Sequence, residues 1–179
     1  MILEFTRLQQ AVFRELCRSA GDPLTVSELA RRTGATPAGV TKAIASMSDV
    51  VYARRDARVN AVFVELARSR RARDLKRVEN LRQVYVTGLV DHLVDSLAGA
   101  PIILFGSYSR GEDTVRSDID LAVIGAAERE LELRSFETQL MRVINVSWFD
   151  SFGELSAAMR ESLCAGIPLE GGISYDQVV

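Results

Sequence analysis

Histidine occurs once, at His92, and cysteine twice, at Cys17 and Cys164. A structural zinc site needs four nitrogen or sulfur ligands grouped in short spacings, so this supply excludes one built from His and Cys. Both cysteines fall in segments that read as helices. They are expected to be reduced core residues, as suits a cytoplasmic protein. His92 lies in a helical pattern and is expected to be structural. No apolar run reaches the roughly 18–20 residues that span a bilayer. The opening MILEFTRLQQ lacks the basic-then-apolar order of a secretion signal. Internal repeats and low-complexity segments are absent. Lysine is scarce as well, with Lys42 and Lys76 the two lysines among 22 basic residues. Codon composition alone can produce that skew, and no function follows from it.

What remains is a chain of 179 residues, 47% hydrophobic, enough for one domain or two small ones. Its net charge of −2 hides a strong asymmetry. Residues 1–82 carry 16 Lys+Arg against 9 Asp+Glu, a net of +7, while residues 83–179 carry 6 against 15, a net of −9. A basic half followed by an acidic half suggests a nucleic-acid-facing module joined to a metal-binding one.

The most informative stretch is LFGSYSRGEDTVRSDIDLAV, from Leu104 to Val123. An apolar strand, Ile102 to Phe105, enters a turn at Gly106-Ser107. After ten intervening residues comes Asp118-x-Asp120, at the start of a second strand, Ile119 to Ile124. Residues two apart in a strand share a face, so both carboxylates aim at one point beside the glycine turn. Paired carboxylates repel unless a cation separates them. Hard oxygen ligands suit Mg²⁺, which takes one or two carboxylates together with substrate phosphates. A glycine turn lets backbone N–H groups approach a phosphate. The pattern describes a site for a divalent ion, Mg²⁺ or Mn²⁺, with a nucleoside triphosphate. A hairpin with acidic residues at a solvent edge accounts for Asp118 and Asp120 singly, but not for their coincidence with Gly106-Ser107 and the apolar flanks.

Residues Gly106, Ser107, Arg110, Gly111, Ser117, Asp118, Asp120 and Leu121 resemble the signature of the polymerase-β-like nucleotidyltransferase superfamily, in particular its minimal branch. The resemblance implies that Asp118 and Asp120 ligate the metal, that Gly106 and Ser107 cradle the outer phosphates, and that an acceptor hydroxyl attacks the α-phosphorus. Arg110 could neutralise phosphate charge or be an ordinary exposed arginine. Gly111 supplies a turn, and Ser117 caps or orients the loop ahead of Asp118. Members that transfer nucleotides generally carry a third acidic residue on the strand after the intervening helix. The matching position here is Asn145, which can ligate through its carbonyl oxygen but is no general base. Asp150 has the opposite strand parity and lies roughly 17 Å further along an extended chain. Glu112 and Asp113 lie in the loop and could swing in.

The N-terminal third has a different pattern. Phe5 to Arg18 carries a helical stripe of Leu8, Val12, Phe13 and Leu16, closed by Gly21-Asp22-Pro23. Thr25-Val26-Ser27-Glu28 is a capping-box pattern opening a helix to Thr33. Thr36 and Pro37 open a third helix with Val40, Ile44 and Met47 inside. Val50 to Val64 alternates around Asp56-Ala57 as a β-hairpin does. This order resembles a winged helix-turn-helix domain over residues 1–65. It implies a recognition helix from Pro37 to Ser48, with Ala38, Thr41, Lys42 and Ala45 outward, and a wing carrying Arg54, Arg55 and Arg58. Duplex DNA is the partner so implied, although many winged helices mediate protein contacts instead.

Residues 66–82 are expected to be a basic helical linker. Arg68, Arg70, Arg71, Arg73, Lys76 and Arg77 form a solvated face or a phosphate contact. Glu65 to Ala98 reads mostly helical, with a weak point at Gly88 and a packing stripe of Leu81, Val84, Tyr85, Leu89, His92, Leu93 and Leu97. Residues 83–179 are expected to be the nucleotidyltransferase-like domain. It would add a helix from Glu128 to Val143, a third strand from Ile144 to Phe149, a helix from Phe152 to Ala165, and a tail from Leu169 to Val179 with a short strand. The fold class is therefore α+β: a winged helix-turn-helix followed by a mixed sheet flanked by helices.

Three functions fit this reading. One is a nucleotidyltransferase acting on an unknown hydroxyl acceptor. Minimal relatives include antitoxin components that adenylylate a partner toxin, so a protein acceptor is among the implied partners, as is a second copy in a homodimer. Another is a non-catalytic, nucleotide-responsive transcriptional regulator, with Asn145 marking lost chemistry. The third is a scaffold that uses neither site.

Overall fold

The computed structural model describes residues 5–172. The chain divides into two compact units, Met1–Glu79 and Asn80–Val179.

Unit 1 begins with helix α1 (Arg7–Arg18). Its first turn is closed by a reciprocal capping box that the hydrophobic pattern does not reveal. The Gln9 N–H donates to Thr6 Oγ1 at 3.3 Å, and the Thr6 N–H donates to Gln9 Oε1 at 2.7 Å. A two-residue strand β1 (Leu24–Thr25) leads into α2 (Val26–Thr33). Here only half of the expected box forms. Thr25 accepts from the Glu28 N–H at 3.1 Å, but the Glu28 carboxylate turns to Arg32 at 2.7 Å. Gly34, at φ +67, ends α2 in the left-handed region. Helix α3 (Pro37–Ala45) starts on the Thr36 cap and stops three residues short of Ser48, because the Ser46 hydroxyl donates to the Ala43 carbonyl at 2.8 Å. Strands β2 (Val51–Asp56) and β3 (Ala61–Leu66) form an antiparallel hairpin, and β1 pairs with the far side of β3. Glu65 and Leu66 are thus strand, not helix. They pair with Tyr52 and Val51. Val12, Leu16, Leu29, Val40, Met47, Val50 and Val64 are buried in one core. Three helices followed by a hairpin, with a small strand completing the sheet, make a winged helix-turn-helix.

Helix α4 (Arg70–Val86) runs across the boundary between the units, and Gly88, at φ +79, separates it from α5 (Leu89–Leu97). Unit 2 then forms a four-stranded sheet in the order β6-β5-β4-β7. Strands β4 (Ile102–Phe105) and β5 (Ile119–Ile124) are antiparallel, with the short helix α6 (Gly106–Arg110) between them. Strand β6 (Ile144–Phe149) lies parallel to β5, and β7 (Ile167–Glu170) lies antiparallel to β4. The alternation of the strands makes two cores. Ile102, Leu104, Ile119, Leu121 and Val123 pack with Leu89, Leu93 and Leu97 of α5. Ile103, Ala122 and Ile124 pack on the opposite face with Phe152, Leu155 and Leu163. Asp120 and Asn145 have the parity of this second face.

Several expected helices are shorter. Glu128–Val143 yields only α7 (Arg134–Leu140), closed by Met141 at φ +56, and Met141 is exposed. Phe152–Ala165 splits into a 3₁₀ turn (Phe152–Glu154) and α8 (Ala157–Cys164), the latter capped by Ser156. Tyr85 of the expected packing stripe is about half exposed. Cys17 is buried as expected, but Cys164 is exposed at the end of α8. The part of the expected tail beyond residue 172 lies outside the described residues.

Candidate active site

The sheet brings three separate segments into one row. Strand β4 ends at Phe105, whose partner on β5 is Asp120. On the other side of β5, the partner of Asp120 is Asn145. Gly106, Asp120 and Asn145 therefore line up across one end of the sheet, and Asp118 stands one residue before β5 on the same face. The Asn145 amide Nδ2 donates to Asp118 Oδ2 at 2.9 Å. Gly106 has φ +75, and a Cβ on it would collide with the Asp120 carboxylate. Both the backbone angle and the space therefore require glycine. Asn145 occupies the register position expected for the third acid.

Burial is the main reason the Asp120 carboxyl is pushed above the ordinary carboxylate value of 3.8, and the negative charge of Asp118 adds to it. A hydrogen bond from Asn145 and the charge of Arg110 oppose that rise. The metal-free fold thus disfavours ionised Asp120. This cost is fully present above the raised pKa and disappears as pH falls through it toward 3.8. Asp120→Asn is accordingly expected to raise the melting temperature of the metal-free protein at neutral pH. The advantage over the parent should shrink as pH is lowered toward 4. A variant that melts lower at pH 7 would contradict this charge balance.

The remaining signature residues take distinct places. Ser107 is half-buried in the first turn of α6, while Arg110, in its last turn, is exposed and its Nε donates to Glu112 at 2.9 Å. Gly111 closes α6 at φ +71. Ser117 orients the loop before Asp118, its Oγ accepting from the Thr114 N–H at 3.0 Å. Asp113 cannot swing in. It is buried, accepting from Asn80 Nδ2 at 2.7 Å and facing Arg142 Nη2 at 3.4 Å. Glu112 is engaged with Arg110. Asp150 lies past the far end of β6, on the wall of a separate cleft with Trp148 and Glu154. The buried Asn80–Asp113–Arg142 network was not foreseen. Its members are far apart in sequence, and none has a local signal.

Asp118 and Asp120 offer hard oxygen donors that fit one divalent ion held together with substrate phosphates, while Asn145 turns its amide nitrogen toward them and adds its carbonyl oxygen only if the amide turns over. A cation between the two carboxylates would offset both the burial that chiefly raises Asp120 and the smaller repulsion from Asp118. Among the described residues, no cluster of three His, Cys, Asp or Glu side chains is arranged to hold a metal ion.

In unit 1 the expected DNA-facing residues Ala38, Thr41, Lys42 and Ala45 of α3 are all exposed. The Thr41 hydroxyl donates back to the Pro37 carbonyl at 2.9 Å, which leaves it free only to accept. Arg54, Arg55 and Arg58 are exposed on the wing, but two of them are engaged. Arg58 forms an ion pair with Asp56 at 3.0 Å, and Arg55 donates to Asn60 at 3.2 Å. The hydrogen bonds from Arg58 hold the Asp56 carboxyl below its ordinary value. In the basic run, Arg70 pairs with Asp74 and Arg71 with Asp49, while Lys76 is buried.

Residues 99–164 match the family model described as polymerase beta, nucleotidyltransferase. Unit 2 carries a polymerase-β-type nucleotidyltransferase domain. No curated protein matched the chain. Solved structures similar to part of it include the adhesin competence repressor AdcR of Streptococcus pyogenes, at 21% identity and TM-score 0.41, over 52% of this chain and 68% of that one. ZitR of Lactococcus lactis, described as a zinc-responsive MarR family member, is similar at 19% identity and TM-score 0.40, over 54% and 65%. The MepR–DNA complex of S. aureus is similar at 17% identity and TM-score 0.35, over 51% and 80%. The chain spans about two-thirds of the length of AdcR and ZitR. The winged-helix assignment of unit 1 rests on its own connectivity. No helix among the described residues is long and apolar enough to cross a membrane.

Proposed function

We propose that the nucleotidyltransferase domain binds a nucleoside triphosphate with Mg²⁺ or Mn²⁺ at Asp118 and Asp120 and transfers a nucleoside monophosphate to a hydroxyl of an acceptor, while the winged helix binds duplex DNA. The observation that supports this most is the convergence of Gly106, Asp118, Asp120 and Asn145 at one end of the sheet. Asp118 and Asp120 would hold the ion, joined by the Asn145 carbonyl once its amide turns over, and the bound ion would neutralise phosphate charge. Gly106 lets the Asp120 carboxylate sit against the turn, and the backbone N–H groups of the first α6 turn and the Ser107 hydroxyl would donate to a phosphate beside it. In the reaction, the acceptor oxygen forms a bond to the α-phosphorus. The bond to the β-phosphate oxygen breaks, and pyrophosphate leaves. Asn145 can orient the acceptor hydroxyl but not take its proton, which passes to solvent. Most of the rate comes from positioning and charge neutralisation.

Incubation with each of the four α-labelled nucleoside triphosphates and Mg²⁺, with a cell extract as the acceptor source, tests the reading. Label on a protein or nucleic acid that disappears with Asp118→Ala supports it. Tight Mg²⁺-dependent nucleotide binding with no transfer in any fraction would instead support a nucleotide-responsive regulator.

The wing gives a prediction of its own. Each phosphate contact contributes about 0.9 to the slope of log affinity against log salt. Replacing Arg54, Arg55 and Arg58 with Ala is expected to lower that slope by up to about 2.7. Asp56→Ala should strengthen binding, because Arg58 then has no competing carboxylate. Salt-dependent fluorescence anisotropy with a duplex checks both. An unchanged slope in the triple variant would remove the wing from the interface.

A further inference from the structure

The two metal-facing aspartates are held in different ways. Asp120 lies within β5, between Phe105 of β4 on one side and Asn145 of β6 on the other. Asp118 precedes the strand, at the end of a loop, 111–117, that contains neither helix nor strand. Mg²⁺ demands near-ideal geometry at about 2.0–2.1 Å. A ligand on irregular backbone meets that demand only where the backbone is pinned by packing and hydrogen bonds. The pin is Asp113, whose side chain is 0% exposed. Its Oδ1 accepts from Asn80 Nδ2 at 2.7 Å, and its Oδ2 faces Arg142 Nη2 at 3.4 Å. The same Asn80 amide donates to the Tyr108 carbonyl of α6 at 2.9 Å.

We infer that Asp113 is a positioning residue for the proposed transfer, and that with Asn80 and Arg142 it sets the spacing between Asp118, Asn145 and the Gly106-Ser107 turn. The inference rests on the nucleotidyltransferase reading above. Its first support is connectivity. Segments 113–118 and 142–145 are joined at both ends. The Asp113–Arg142 ion pair closes one end, and the hydrogen bond from Asn145 to Asp118 closes the other. Next to that second bond, the Ile119 N–H donates to the Val143 carbonyl at 2.8 Å. Glu137 of α7 holds the start of β6, accepting from the Ile144 N–H at 3.0 Å. The third segment, α6, is tied to the loop twice. Asn80 links Tyr108 to Asp113, and the Glu112 N–H donates to the Ser107 carbonyl at 3.0 Å. Every segment that carries a site residue outside β5 is thus one or two contacts from Asp113.

Its second support is energetic. A buried ion pair is a poor source of stability, because apolar residues of similar volume are often as stable or more so. What the pair adds over an apolar contact is direction, since charge-assisted hydrogen bonds hold their partners at fixed distance and angle. Asp113 aims its two oxygens at two different elements, α4 and the turn before β6. It therefore fixes both relative to the loop that ends at Asp118. Groups that orient metal ligands from outside the coordination shell are typically worth about 10–100-fold in metal affinity.

The test separates position from stability. Each of the four nucleoside triphosphates is titrated calorimetrically into the full chain with Mg²⁺ and with EDTA, below the onset of unfolding, and urea melts are run on the same proteins. Asp113→Leu with Arg142→Met replaces the pair by apolar residues, so it should be more stable than Asp113→Ala. Its Mg²⁺-dependent gain in nucleotide affinity is nonetheless expected to fall about tenfold or more, with binding in EDTA within about twofold of the parent. Arg142→Lys keeps the charge opposite Asp113 and should retain more of the gain than the double variant. Asn80→Ala leaves the ion pair in place but cuts its link to α6, and should lower the gain too. It decides the matter if the double variant does not fold. Leu97→Ala, in the core of α5 outside this network, should lower stability and leave the gain unchanged. A folded double variant or an Asn80→Ala protein that keeps the full gain overturns the inference. So does a gain that falls in Leu97→Ala in step with stability. A parent with no Mg²⁺-dependent gain refutes the nucleotidyltransferase reading itself, and the positioning role with it.

Discussion

Asn145→Asp is expected to raise nucleotide transfer by about 10²-fold, the lower end of what a positioned general base contributes. Asn145 sits opposite Asp120 across β5 and β6 and donates to Asp118 at 2.9 Å, so a carboxylate placed there faces the reacting centre. The same change removes that hydrogen bond and adds a third negative charge to a pair that already repels. The metal-free variant should therefore melt lower than the parent. Mg²⁺ should raise its melting temperature more than the parent's, because a ligand bound only by the folded state stabilises it by mass action. Differential scanning fluorimetry with and without Mg²⁺ reads this without needing the acceptor. Equal Mg²⁺ shifts in the two proteins would show that residue 145 does not face the ion.

Asp113→Ala is expected to cost about 3–5 kcal/mol of folding stability, the range for removing one partner of a buried ion pair. The side chains of Asp113 and Arg142 are 0% and 3% exposed. Without the carboxylate the guanidinium keeps its desolvation cost and loses its counter-charge, and Asn80 loses its acceptor at 2.7 Å. Because Asn80 Nδ2 also donates to the Tyr108 carbonyl at 2.9 Å, the change should loosen α6. A urea melt of the full chain checks this. A loss below about 1 kcal/mol would mean that water reaches the pair and that it counts as a surface ion pair.

The site was legible in the sequence because its parts obey short-range rules. Glycine at a positive φ, two aspartates with one strand parity and apolar strands on either side are all local patterns. Asn145 came from the resemblance, as the position on the third strand that matches the family's third acid. The winged helix was legible for the same reason, since Thr25, Thr36 and Gly34 mark helix ends. What the sequence hid depends on contacts between distant residues. Asp113 reads as a loop acid until Asn80 and Arg142 are brought to it. The α7 segment reads as sixteen residues of helix from Glu128, yet only Arg134–Leu140 is helical. Leu131 and Leu133 pack on the core from irregular backbone, so their apolar spacing imitates helical periodicity. Arg58 reads as a free wing cation, but Asp56, two residues away, claims it.

The central claim is that Asp118 and Asp120 hold a divalent ion together with a nucleoside triphosphate. Isothermal titration of the parent chain and of Asp118→Ala with Asp120→Ala, each with Mg²⁺ and with EDTA, tests it most directly. The parent is expected to bind one of the four nucleotides at least about a hundredfold more tightly with Mg²⁺, a difference of about 2.7 kcal/mol. The double variant should bind it equally weakly in both conditions while remaining folded. A double variant that keeps the Mg²⁺-dependent gain would place the ion elsewhere and contradict the account.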